Sequence, residues 1–242
     1  MKNIFLIIFI VLIVGCSSSP EKLLEKGDRF VEDAKIEKAL GAYQTVIEKF
    51  PNDTLAQNAK YSIAWIELDK QLEFANGLET LRDIAKHYAE LEVGRAAQND
   101  MENFARWLIN KTNELRSDTT TTEALHTIEY LINNFKDDPL LAEALYLKGN
   151  IYLNDLKDHY RAVNTYQEIL HKFKGTNFEP MSKFMIGYIY ANVQNDYHKA
   201  KPVYSEFLQE FPEHELAPSV QFELEYLGKK VKDIGELKLR DN

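Results

Sequence analysis

The chain has 242 residues, 45% of them hydrophobic and 12% aromatic, enough to build a core over one or two ordinary domains. Its formal net charge of −9 argues against nucleic acid, whose affinity comes from Lys and Arg neutralising phosphate, and against spreading on an anionic membrane surface. A single cysteine excludes an intramolecular disulfide, so stability rests on packing.

The chain opens on Lys2, an uninterrupted apolar run from Ile4 to Val14, then Gly15, Cys16 and Ser17-Ser18-Ser19. A charged start, a short apolar run and a small residue at the cut describe a secretory signal. The run falls short of the roughly 20 apolar residues that span a bilayer. Ile13-Val14-Gly15-Cys16 resembles the bacterial lipobox. That resemblance implies that residues 1–15 are a lipoprotein signal peptide and that Cys16 becomes the lipidated first residue, palmitate among its acyl chains. The alternative is a small hydrophobe within a cleaved signal. Each buried CH₂ gives only about 0.8 kcal/mol, so a lasting anchor needs more than one chain, as bacterial lipoproteins have. In Gram-negative sorting, Ser17 rather than Asp after the cysteine implies the outer membrane, facing the periplasm. Residues 16–19 are then a tether, and its three serines reach about 10 Å at full extension.

Ser19 before Pro20 sets an N-cap ahead of a proline at the first helical position, so the first helix begins there. Phe50-Pro51-Asn52-Asp53 ends the second helix, because proline disfavours helical geometry in the residue before it. That helix has a small residue, Ala39, eleven positions ahead of the aromatic Phe50. The same spacing recurs at Gly77 and Tyr88, Ala124 and Phe135, Ala162 and Phe173, and Ala200 and Phe211, giving five units. Fourteen residues beyond the aromatics lies the middle of each next helix, at Ala64, Glu102, Gly149, Gly187 and Glu225. The repeating unit is therefore a helix pair.

The third unit has a lengthened first helix, from about Val93 to Arg116, and Thr120-Thr121-Thr122-Glu123 offers a capping box for the helix after it. The fourth and fifth units superimpose at an offset of 38, which aligns Gly149 with Gly187, Tyr152 with Tyr190, Asn154 with Asn192 and Tyr166 with Tyr204. Ala162, Val163, Tyr166, Ile169, Leu170 and Phe173 form a helical stripe, with no strand-like alternation to compete. Phe211-Pro212-Glu213 closes the fifth unit, and an element from Leu216 to Lys230 would cap the array. Residues 231–242 read as a polar, solvated tail.

Gly27, Phe30, Ala39, Tyr43, Val46 and Pro51 resemble the tetratricopeptide repeat (TPR), as do Gly187, Tyr190, Ala200, Tyr204 and Pro212 with one residue added in the turn. Between them the pattern degenerates: Ala64 and Glu102 replace the glycine, Glu67 the aromatic and Lys174 the proline. The resemblance implies an all-α, right-handed α-solenoid over residues 20–230, with about five helix pairs, a C-terminal capping helix and a concave groove.

None of the six histidines has catalytic or metal-ligand spacing, and no HExxH, phosphate loop or GxSxG occurs. His87, His171 and His214 lie near helix ends, and His159 and His198 in turns within repeats. No enzymatic activity, cofactor or metal is expected. In the TPR family, ligands lie against the first helix of each pair. By register that face holds Tyr61, Trp65, Trp107, Tyr146, Phe184 and Tyr188, with Asn150, Asn154 and Asn192 beside them. Aromatics supply contact area, and Asn amides can both donate to and accept from a peptide backbone. The alternative is that these aromatics are inter-repeat core and the asparagines turn residues.

With the short tether, these features imply a scaffold for a protein or peptide partner near the membrane. The architecture resembles the BamD family, the lipoprotein TPR subunit of outer-membrane β-barrel assembly, and implies an outer-membrane β-barrel protein as partner. A second resemblance is to the Tol-Pal accessory TPR family (YbgF/CpoB), which implies envelope organisation in cell division, although that family carries a coiled coil and a non-lipidated signal. A surface lipoprotein capturing a peptide or polysaccharide is a third reading.

Overall fold

The computed structural model describes residues 19–117 and 119–229, which are helix, turn and loop without a strand. Cys16, Ser17, Ser18 and the tail 231–242 lie outside the described residues. No described helix is long and apolar enough to cross a membrane. The chain divides into two compact units after Met101.

In the first unit, α1 (Pro20–Glu32), α2 (Ile36–Lys49), α3 (Thr54–Ile66), α4 (Phe74–His87) and α5 (Glu92–Glu102) follow one another. Pro20 opens α1 as expected, and α2 ends just before Phe50-Pro51. Asp53 caps α3 through a side-chain bond from the Leu55 amide, 2.9 Å. Ala39, Tyr43, Val46, Ala59 and Ile66 make the core shared by α1, α2 and α3. α1 packs on α2, α2 on α3 and α3 on α4, the packing of a solenoid.

The second unit contains α6 (Phe104–Glu114), α7 (Thr121–Asn134), α8 (Leu141–Asn150), α9 (His159–Lys172), α10 (Phe178–Tyr188), α11 (Tyr197–Glu210) and α12 (Ala217–Glu225). Consecutive helices again pack on one another, and α12 supplies the expected terminal element. Two bidentate ion pairs tie its helices together: Arg106 to Glu143 at 2.6 and 2.9 Å, and Arg116 to Asp155 at 2.6 and 3.0 Å.

Three local expectations are revised. The long helix from Val93 to Arg116 is two helices, because Asn103 is non-helical between α5 and α6. The threonine run does not form a capping box: Thr120 donates its hydroxyl to the Leu115 carbonyl at 2.6 Å, so its oxygen does not cap α7. His159 and His198 sit in the first turns of α9 and α11, inside the helices rather than in the turns before them.

The extra residue of the later pairs is not simply a longer turn. Glu67–Gln71, Ile151–Asp155 and Ile189–Val193 are π-helical ends of α3, α8 and α10. A π turn absorbs one inserted residue without breaking the helix. After each comes a residue at positive φ, namely Leu72, Lys157 and Asn195, eight positions beyond Ala64, Gly149 and Gly187. The first pair has no π turn, and its positive-φ residue, Ala34, lies only seven beyond Gly27. Asp158 and Asp196 then cap α9 and α11 by accepting from Arg161 N at 3.0 Å and Lys199 N at 3.2 Å.

Candidate functional site

One packing device recurs in the first, fourth and fifth pairs. Gly27, Gly149 and Gly187 lie against the rings of Tyr43, Tyr166 and Tyr204 so closely that a Cβ on Gly149 would sit 2.5 Å from Tyr166 Cε1. All three tyrosines are buried, and burial is the main force raising each phenol above its ordinary pKa. A hydroxyl so placed needs a hydrogen-bond partner. Tyr43 donates to Asp28 Oδ1 at 2.6 Å, and Tyr166 to Asn150 Oδ1 at 2.8 Å. Asp28 and Asn150 each directly follow the glycine. In the fifth pair that position is Tyr188, and the buried Tyr204 hydroxyl has no hydrogen-bond partner. An unpaired buried hydroxyl costs about 1–3 kcal/mol.

The aromatics singled out by register fall into separate settings. Tyr61 and Trp65, one turn apart on α3, both donate to Asp100 Oδ2 on α5, at 2.5 and 3.0 Å. Burial, with Asp100 adding to it, pushes the Tyr61 phenol up to about 12. Trp107 stacks on Phe104 of its own helix at 5.2 Å. Tyr146 packs 5.6 Å from the rings of both Tyr166 and Phe178, and burial raises its phenol. Asn150 is committed to Tyr166.

Asn154 is exposed in the π-helical end of α8. Its counterpart Asn192 donates from Nδ2 to Glu223 Oε2 of α12 at 3.0 Å. Phe184 lies 6.4 Å from both Tyr188 and Tyr204, and Tyr188 keeps 37% of its surface exposed. The structure thus joins Phe184, Tyr188 and Asn192 into one patch with Tyr204 and Glu223, which were not anticipated. Glu223 and Tyr188 stand close enough to Tyr204 to raise its phenol further.

Residues 143–176 and 182–214 each match the family model of the tetratricopeptide repeat. These two segments are tetratricopeptide repeats. Among solved structures the chain is similar to a tetratricopeptide repeat protein from Parabacteroides merdae, with 18% identity over 86% of this chain and 72% of that one, TM-score 0.40. It is also similar to PilF of Pseudomonas aeruginosa, with 14% identity over 91% and 97%, TM-score 0.38. No curated protein matches the chain.

The two repeats contain the fourth and fifth glycine–tyrosine pairs, so the TPR packing pattern and the unpartnered hydroxyl occupy the same stretch. A groove of about 610 Å³ opens elsewhere on these repeats, between α9, α10 and α11. Leu170, Ile186, Pro202 and Val203 form its apolar part, and none of the register-predicted residues lines it. Lys183, buried beside it, is neutralised by Glu210 at 2.7 Å and Glu206 at 3.4 Å. Among the described residues no three His, Cys, Asp or Glu side chains are grouped to hold a metal ion. Around the fifth pair the structure gathers the exposed ring of Tyr188, the Asn192 amide, the Tyr204 hydroxyl and, from α12 beyond the matched repeat, the Glu223 carboxylate.

Proposed function

We propose that the chain is a lipid-anchored TPR scaffold that binds a protein segment at a bacterial envelope membrane. The observation that carries this is the fifth pair, a tetratricopeptide repeat whose first helix presents exposed Tyr188 beside Phe184, Asn192 and an unpartnered buried hydroxyl. Repeat proteins of this class hold protein partners on such helix faces. The anchor is supported by the lipobox-like Ile13-Val14-Gly15-Cys16. With Ser17 following it, we assign the protein to the outer membrane, facing the periplasm, and its partner to an outer-membrane β-barrel protein under assembly.

Two measurements test this. Radiolabelled palmitate should be incorporated by the wild type and lost in Cys16→Ala; a Cys16→Ala protein that stays membrane-bound and labelled refutes the anchor. Affinity purification in detergent should recover a β-barrel membrane protein. Recovery of soluble wall enzymes alone refutes the assembly role and favours the Tol-Pal type of envelope organisation.

A further inference from the structure

The three glycine–tyrosine pairs differ in the residue that follows the glycine, and that difference leaves a hydrogen bond unmade in the fifth. The side chain after the glycine brings an acceptor oxygen to the tyrosine in the first and fourth pairs, through Asp28 and Asn150. The fifth pair supplies a ring there instead, Tyr188, and the Tyr204 hydroxyl is left without an acceptor. We propose that a partner supplies it: the fifth pair is a receptor for a peptide amide group, the Tyr204 hydroxyl donating to the partner's carbonyl oxygen and the Glu223 carboxylate accepting the partner's N–H. This rests on the scaffold reading above and names the chemistry of its binding site.

The neighbouring groups narrow the ligand. Glu223 takes one hydrogen bond from Asn192, and a carboxylate has capacity for more. Its charge disfavours an incoming Asp or Glu, which would otherwise serve Tyr204 as Asp28 serves Tyr43. An ammonium group could satisfy Glu223 and offers Tyr204 no acceptor. A peptide amide serves both, its carbonyl oxygen accepting from Tyr204 and its N–H donating to Glu223, and the ligand proposed is a non-acidic segment contributing a backbone amide or an Asn or Gln side chain. Phe184 and Tyr188 would take its apolar part. The Tyr204 hydroxyl is buried, so the proposal requires a side chain to move aside, and Tyr188, 37% exposed and near enough to raise the Tyr204 phenol, is the one assigned that movement.

The test is selection of a displayed library of random 12-residue peptides on the full chain in detergent, followed by Kd measurements on variants. Enriched peptides should be non-acidic. Their Kd should rise about fivefold or more in Tyr204→Phe, the loss of one buried hydrogen bond. Tyr188→Asn, which restores the acceptor found at Asn150, should weaken binding similarly, and Tyr160→Ala on exposed Tyr160 should leave it unchanged. Enriched peptides that are acidic, or that bind Tyr204→Phe as well as wild type, overturn the proposal while leaving the scaffold reading intact. Failure to enrich any peptide overturns both. Melting gives a second check, since Tyr204→Phe should melt no lower than wild type while Tyr166→Phe melts lower; equal losses show that Tyr204 has a partner within the fold and overturn the proposal.

Discussion

Gly27 and Gly41 lie on neighbouring helices of the first unit, and the same substitution should have opposite effects at the two. A Cβ on Gly27 would lie 2.7 Å from both Cδ1 and Cζ of Tyr43, and nearer still to Cε1. That ring cannot step aside: it is 1% exposed and its hydroxyl is held by Asp28 at 2.6 Å. Overpacking of this kind costs about 1–3 kcal/mol, and the helix propensity gained in replacing glycine returns only about 0.5–1 kcal/mol. Gly27→Ala should therefore be destabilising by up to roughly 2 kcal/mol after that offset. A Cβ on Gly41 meets nothing within 4 Å, so Gly41→Ala keeps the whole propensity gain. For a unit of this size each kcal/mol moves the midpoint by roughly 4–8 °C. Thermal melts followed by circular dichroism, together with urea midpoints, should show Gly41→Ala above wild type and Gly27→Ala below it. If both rise alike, the glycine is not where α1 and α2 meet, and the packing rule drawn from the three pairs fails with it.

Four further outcomes follow from single contacts. Gly94→Ala should lower the first unit's midpoint more than Gly27→Ala, because its Cβ would strike the Tyr88 backbone carbonyl, which has less freedom than a ring. Lys157→Gly should stabilise the second unit by about 1 kcal/mol, read as a higher urea midpoint, since exposed Lys157 sits at φ 55°, where a Cβ is penalised; no change would show that the π turn relieves the strain. Ser182→Ala, which removes a buried hydroxyl without a partner, should be neutral or stabilising in urea melts. The first unit should lose stability as pH rises from 10 towards 12, because the Tyr61 phenol ionises at about 12 when folded and near 10 when unfolded, so the unfolded chain releases its proton first. Tyr61→Phe should flatten that fall, and an unchanged slope in a pH series of urea midpoints would show that Tyr61 does not contribute.

The parts of the fold legible in the sequence are those that packing forces to repeat. Ala39, Tyr43 and Val46 must recur at fixed spacing because two helices cannot approach without a small residue opposite a ring, and that spacing located the helix pairs. Proline boundaries were equally plain, as at Phe50-Pro51 and Phe211-Pro212. The π turns were visible only as one additional residue, since a sequence offset records an insertion and not whether the helix widens or the turn lengthens. Asn103 carries no strong breaking signal, which is why α5 and α6 read as one helix. Thr120 was misleading because a hydroxyl that can cap an amide can also donate to a carbonyl, and Leu115 O was within reach.

Binding chemistry was harder to read, for the same reason that the fold was easy. A register places Tyr61, Trp65 and Tyr146 on first helices, but cannot say that Asp100 holds the first two or that Tyr166 and Phe178 pack the third. Those side chains already have partners inside their own unit, so their aromatic character alone says little about a ligand. Informative positions are the ones where equivalent residues differ while the core around them stays constant. Gly27, Gly149 and Gly187 are the same, and so are the tyrosines they meet, yet the next residue changes from Asp28 and Asn150 to Tyr188. Local rules that fail inside an otherwise consistent array are where function is expected to reside. The unsatisfied Tyr204 hydroxyl is such a failure, and the comparison that exposes it needed only the three repeats of this chain set against one another.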